Sequence, residues 1–110
     1  MKTKLLRIVP SSNKSKKWTA IFDTGDGKEK QVHFGSAGMR DYTLISNKSS
    51  KWYLPKILDR NVVKASYIRR HQKKEDWTNP LTPGALSRWL LWEKKTLPSA
   101  IKAFKKRFKL

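Results

Sequence analysis

Proline lacks a backbone N–H and its ring fixes φ near about −65°, so an α-helix accepts it only in the first turn. Two prolines in the last third of this chain meet that condition, and they fix where two helices begin. In the stretch DWTNPLTPGALSRWLLWEKKTLPSAIKAFKKRF, residues 76–108, Thr82-Pro83 reads as an N-cap followed by proline at the first helical position. Pro98 falls in the first turn of a helix opened by Thr96 or Leu97. The earlier of the two carries Leu86, Trp89 and Leu90 on one side and is expected to end around Glu93. In the later one, Leu97, Ile101, Phe104 and Phe108 recur at i, i+4, i+7 and i+11, with Lys102, Lys105, Lys106 and Lys109 on the other side. A third helix is expected from Asp59, a candidate N-cap. There Val63, Tyr67 and His71 repeat at i, i+4 and i+8 and leave Arg69, Arg70, Lys73 and Lys74 outward.

Upstream the period changes from helix to strand. In KKWTAIFDTGDGKEKQVHFG, Trp18, Ala20 and Phe22 alternate onto one face, the chain turns between Asp23 and Lys28, and Val32 and Phe34 return on one face. Asp26-Gly27 suits the turn, because glycine tolerates positive φ and aspartate bonds its own backbone. LLRIV at residues 5–9 is expected to add a third strand, since two strands alone are marginal in water. Residues 36–58 mix glycine, polar turns and Pro55, and read as irregular with short elements. The whole is an α+β chain: a small N-terminal antiparallel hairpin or sheet over residues 1–35, an irregular stretch over 36–58, and about three helices over 59–110. At 110 residues it forms one compact domain.

Charge narrows the function. With 26 Lys and Arg against 8 Asp and Glu the chain carries +18. The bases come in blocks: residues 94–110 hold seven and no acid, residues 60–74 six and no acid. A solvated face normally intersperses both signs. Blocks of one sign repel themselves and are relieved by an acidic partner, whether nucleic acid, an anionic membrane or an acidic protein surface. There is no cysteine, which excludes disulfides, thiolate metal sites and cysteine nucleophiles. The start MKTKLLRIVP is basic, but its apolar run is too short for a signal-peptide core, and no stretch approaches the length of a membrane span. A soluble or peripheral protein is expected.

Catalytic motifs are tempting in three places and incomplete in each. His33 and His71 have no second ligand at a metal-binding spacing, so both read as structural or surface histidines. DTGDGKEK lacks the Ser or Thr that follows the lysine of a phosphate loop and the alternate oxygen ligands of a calcium loop. It reads as a hairpin turn. GSAG at residues 35–38 fits the G-x-x-G of a KH backbone clamp, but it leaves a strand, whereas the clamp joins two helices. It reads as a turn needing glycine dihedrals. Eight scattered carboxylates assemble into no metal cluster of a nuclease or hydrolase. Trp89 shares the face of Leu86 and Leu90 and is assigned to the core. Trp77 and Trp92 lie beside Arg88, Lys94 and Lys95, where both burial and stacking on a ligand stay open.

VHFGSAGMRDYT followed by YIRRHQKKEDWTNPLTPGALSRWLLWEKKTLPSAIKAFKKRF resembles a family of small basic proteins encoded by large double-stranded DNA viruses of algae and amoebae. The resemblance covers residues 32–43 and 67–108. It is carried by Phe34, Gly35, Asp41, Tyr42, Thr43, Tyr67, Ile68, Arg70, His71, Trp77, Pro80, Thr82, Ser87, Arg88 and the Trp89-Leu90-Leu91-Trp92 block. Extra residues around NKSSKWYLPKIL depart from that pattern. The resemblance implies no enzyme. It implies a protein made in the cytoplasm of an infected cell and packaged in the virion.

The expectation is therefore a non-enzymatic virion component, a minor capsid protein contacting other capsid proteins, membrane or genome. The alternative is a sequence-independent nucleic-acid-binding or DNA-packaging protein. Contacts to an acidic partner or phosphate are assigned to Arg69, Arg70, Lys73, Lys74, Arg88, Lys94, Lys95, Lys102, Lys105 and Lys106, with aromatic contacts at Trp77 and Trp92. No cofactor, metal or small-molecule substrate is expected.

Overall fold

In the computed structural model, which describes residues 3–110, three antiparallel strands precede four α-helices, the third of which continues into a π-helical turn. The basic start at Met1 and Lys2 lies outside the described residues. Strands β1 (Lys4–Pro10), β2 (Lys16–Asp23) and β3 (Glu29–Ser36) form a meander in the order β1-β2-β3. The β2–β3 hairpin follows the sequence alternation. In its turn the Asp26 carboxylate accepts hydrogen bonds from the Thr24 hydroxyl at 2.7 Å and the Lys28 N–H at 3.1 Å. Gly25 and Gly27 take positive φ there.

Ala20, Phe22, Val32 and Phe34 are buried on the face that meets the helices, as the alternation requires. The opposite face differs from expectation, because Thr19 and Ile21 are buried as well. The hydroxyls of Thr19 and Ser11 lie 2.7 and 2.8 Å from His33 Nδ1, which has one hydrogen-bonding site to share between them. Ile21 lies between its cross-strand partners Arg7 and Gln31, whose stems can cover it. A bulge in β1 leaves Leu6 as the extra residue between the Leu5–Phe22 and Arg7–Ile21 pairs.

Within the stretch read as irregular, Asp41 starts a single helical turn, α1 (Tyr42–Ile45). Its Oδ1 accepts from the Leu44 N–H at 3.0 Å and from the Thr43 hydroxyl at 2.5 Å. Helix α2 (Ile57–His71) opens upstream of Asp59. Its N-cap is Lys56, which makes no side-chain cap bond, so the assignment of Asp59 as cap is corrected: Asp59 sits inside the first turn, where its charge favours the dipole. α3 (Pro83–Leu86) starts as the proline requires, with the Thr82 hydroxyl accepting from the Ala85 N–H at 3.2 Å. It continues into a π-helical turn, Ser87–Leu91. That wider turn brings Leu90, Leu91 and Trp92 into the core behind Leu86, a larger apolar face than an α-helical period would bury. α4 (Leu97–Phe108) is capped by Thr96 and carries Pro98 in its first turn.

One core joins these layers. Leu5, Ala20, Phe22, Val32 and Phe34 of the sheet pack with Tyr42, Ile45, Tyr67, Leu86, Leu90, Leu91, Trp92, Ala100 and Phe104. β3 and the π turn come close at Gly35, whose φ is +80° and where an added Cβ would lie 2.8 Å from Leu91 Cδ1. The radius of gyration is 14.1 Å, and the molecule measures 45 × 27 × 23 Å.

Candidate functional site

Most of the bases assigned from the sequence stand on the surface. Arg69 and Arg70 occupy the last turn of α2, Lys73 and Lys74 the turn after it, Lys94 and Lys95 the link before α4, and Lys102, Lys105 and Lys106 the outer face of α4; all are exposed. Among the described residues, none of these nine has a carboxylate within ion-pair distance. The pairs go instead to Arg7–Glu29, Lys17–Asp41, Lys64–Glu93, Arg88–Glu93 and His71–Glu75. The bases at the end of α2 and on the outer face of α4 are therefore without a carboxylate partner among the described residues.

Two assignments are corrected. Arg88 is buried, and its Nη1 donates to Glu93 Oε1 at 2.9 Å while its guanidinium lies 4.4 Å from the Trp89 ring and 5.4 Å from that of Trp77. It ties the π turn to the link that follows, and it is not free for an external anion. Trp92 is buried with its ring stacked on Tyr67 at 4.3 Å, so its face belongs to the core. Trp77 is half-buried. Its Nε1 donates to Glu75 Oε1 at 2.9 Å, and its carbonyl accepts from Trp89 Nε1 at 2.9 Å. Trp89 is clamped between Arg88 and Arg107, the latter 3.8 Å from the ring centre.

Glu93 is the acceptor of this cluster. Burial works against its charge, but the hydrogen bond and charge of Arg88, with Lys64 and Arg107 adding to them, outweigh that and hold its carboxyl below the ordinary carboxylate range. Lys64 also donates to the Glu93 carbonyl at 3.0 Å and lies 4.7 Å from the Tyr42 ring, which links α2 to α1 and to the C-terminal half.

Sequence reasoning missed a cleft of about 440 Å³ between the ends of β2 and β3, the end of α2 and the start of α3. Arg70 is the one assigned base that lines it, together with Lys16, Lys17 and Arg40, which were not singled out. Lys17 reaches the buried Asp41 at 2.6 Å. His71 Nδ1 lies 3.0 Å from Glu75 Oε2. Much of the resemblance pattern converges here: Gly35, Asp41, Tyr67, Arg70, His71, Ser87, Leu91 and Trp92 all line the cleft. No local pattern in the sequence signalled it, because the residues come from segments far apart in the chain.

The apolar stripe of α4 is used internally. Phe104 is buried and Phe108 packs on it with ring centres 5.1 Å apart, so this face is not free to enter a bilayer. No helix among the described residues is long and apolar enough to cross a membrane. Among the described residues no group of three or more His, Asp or Glu is placed to hold a metal ion.

The chain is similar, over residues 6–51, to a family of unknown function (DUF5754). That stretch takes in nearly all of the sheet and α1, and ends before α2 and the Trp89-Leu90-Leu91-Trp92 block. No curated protein and no solved structure matches the chain.

Proposed function

We propose that this chain is a non-enzymatic structural protein that attaches to an extended acidic surface through the basic faces of α2 and α4. The observation that carries this reading is the set of exposed bases that have no carboxylate partner among the described residues, Arg69, Arg70, Lys73, Lys74, Lys94, Lys95, Lys102, Lys105 and Lys106. Leaving them unpaired costs self-repulsion in the free protein, and an anionic surface offsets it. The setting supported by the sequence resemblance is a virus particle, with the chain as a minor capsid component beneath the shell. An exposed apolar group on the first half of α2, Ile57, Leu58 and Val62, favours protein partners in that setting, since a phosphate backbone has no use for it. Quantitative mass spectrometry of purified particles tests the placement. The protein should be present and should cross-link to shell proteins, and its absence from particles sinks the virion reading.

A second reading is a protein that coats nucleic acid without reading its sequence. The arginines and lysines gathered at the cleft favour it, because arginine forks match phosphate oxygens. Ultraviolet cross-links from α2 and α4 mainly to nucleic acid would move this reading to first place.

A further inference from the structure

The cleft has features that a surface contact with an acidic partner does not require. Its volume, about 440 Å³, lies within the range of small-molecule sites. Its two carboxylates are already engaged. Asp41 holds Lys17, the Thr43 hydroxyl and the Leu44 N–H, while Glu75 holds His71 and the Trp77 indole. Lys16, Arg40 and Arg70 have no carboxylate within ion-pair distance among the described residues, so the lining of the cleft carries a surplus of positive charge.

Tyr67 gives the second observation. It is only 7% exposed, it lines the cleft, and its hydroxyl has no hydrogen-bond partner among the described residues. The hydroxyl is not among the buried unpartnered atoms, so it reaches the open cleft, where a ligand oxygen can accept from it in place of water. Burial, reinforced by the negative charge of Glu75, keeps that phenol protonated and hence a donor. The third observation is the stacking. The Tyr67 ring stacks on those of Trp92 and His71, each 4.3 Å away and inclined to it by 10° and 24° respectively. The His71 side chain, 39% exposed, ends the stack at the cleft. A flat heterocycle laid on His71 would extend the stack by one member.

We infer that the cleft binds a single nucleotide unit, its phosphate held by Lys16, Arg40 and Arg70, with the Tyr67 hydroxyl as a further donor and the base against His71. This does not depend on whether the outer basic faces meet nucleic acid or protein. The same chemistry is offered by a free nucleoside monophosphate and by the unpaired end of a strand.

Calorimetric titration and two-dimensional NMR of the full chain with a nucleoside 5′-monophosphate, a 5′-phosphorylated single-stranded oligonucleotide and inorganic phosphate test it. One-to-one binding that shifts the His71 ring signals is expected, with phosphate alone about tenfold weaker or more because it forgoes the stack. Tyr67→Phe, which keeps the ring and removes one donor, should weaken binding by roughly fivefold. Arg40→Ala with Arg70→Ala should cost about a hundredfold, since each removes a charge-assisted contact. Lys28→Ala with Lys30→Ala should leave mononucleotide affinity unchanged, because both are exposed and neither lines the cleft. If the oligonucleotide binds far tighter than the mononucleotide, the ligand is a strand end; equal affinities make it a free nucleotide. The inference is overturned if no nucleotide binds below about 10 mM. It is equally overturned if Arg40→Ala with Arg70→Ala binds as the wild type does, or if phosphate binds as tightly as the nucleotide.

Discussion

Gly35 shows how a single position ties the sheet to the helices. Its positive φ is open to glycine, and its missing side chain leaves room for Leu91. Gly38 also has positive φ but faces open space, so it serves as the control. Gly38→Ala should cost about 1 kcal/mol in urea unfolding, from the backbone alone. Gly35→Ala should cost about 2 kcal/mol more, because Leu91 must move out of a packed core. Equal losses would mean that the close approach is not a constraint. Arg88 shows the opposite relation between sequence and structure. In sequence it reads as another exposed base beside tryptophans, and only the fold shows it buried against Glu93. Because the fold holds the Glu93 carboxyl below its ordinary value of 4.5, the ionised form stabilises the native state above that pH. The contribution is lost as pH falls through the lower folded value. In melting curves, wild type should exceed Glu93→Gln at neutral pH, and the gap should close at more acid pH. A gap that persists would remove Glu93 ionisation from the account.

At the scale of elements, the sequence was legible where one local rule decided the outcome. The Asp26-Gly27 turn, the Thr82-Pro83 start and the stripe Leu97, Ile101, Phe104 and Phe108 all lie where expected. It was less legible where packing decided. The π turn exists because Leu90, Leu91 and Trp92 are all buried, which no helical period would have suggested. The start of α2 was misplaced because Lys56 provides no cap bond, so no chemical signal marks it. The cleft stayed invisible because its walls come from four separate segments. The contrast between caps gives a paired prediction. Lys56→Asp should stabilise the protein by about 1 kcal/mol by supplying the missing acceptor at an extended N-cap. Thr82→Ala should destabilise it by about 1 kcal/mol, since its hydroxyl caps Ala85. Chemical denaturation measures both, and a destabilised Lys56→Asp would show that the start of α2 is held by other means.

For the molecule as a whole, the fold separates two kinds of charge. Arg88, Lys17 and Lys64 are bound into the structure by Glu93 and Asp41, whereas Lys102, Lys105 and Lys106 of α4 and Arg69 and Arg70 at the end of α2 have no carboxylate within ion-pair distance among the described residues. A thin core of one sheet face and a few helices supports this surplus, which is why an acidic partner should also raise the melting temperature. The most direct test is the salt dependence of binding to a duplex DNA used as a generic polyanion, for wild type and for the combined Lys102→Ala, Lys105→Ala and Lys106→Ala variant. Affinity should fall steeply between about 50 and 200 mM salt, and the variant should lower the slope of log affinity against log salt by about 2.7, near 0.9 for each lost phosphate contact. A slope the variant leaves unchanged, or binding indifferent to salt, would contradict the claim that the basic face of α4 is a polyanion-binding surface.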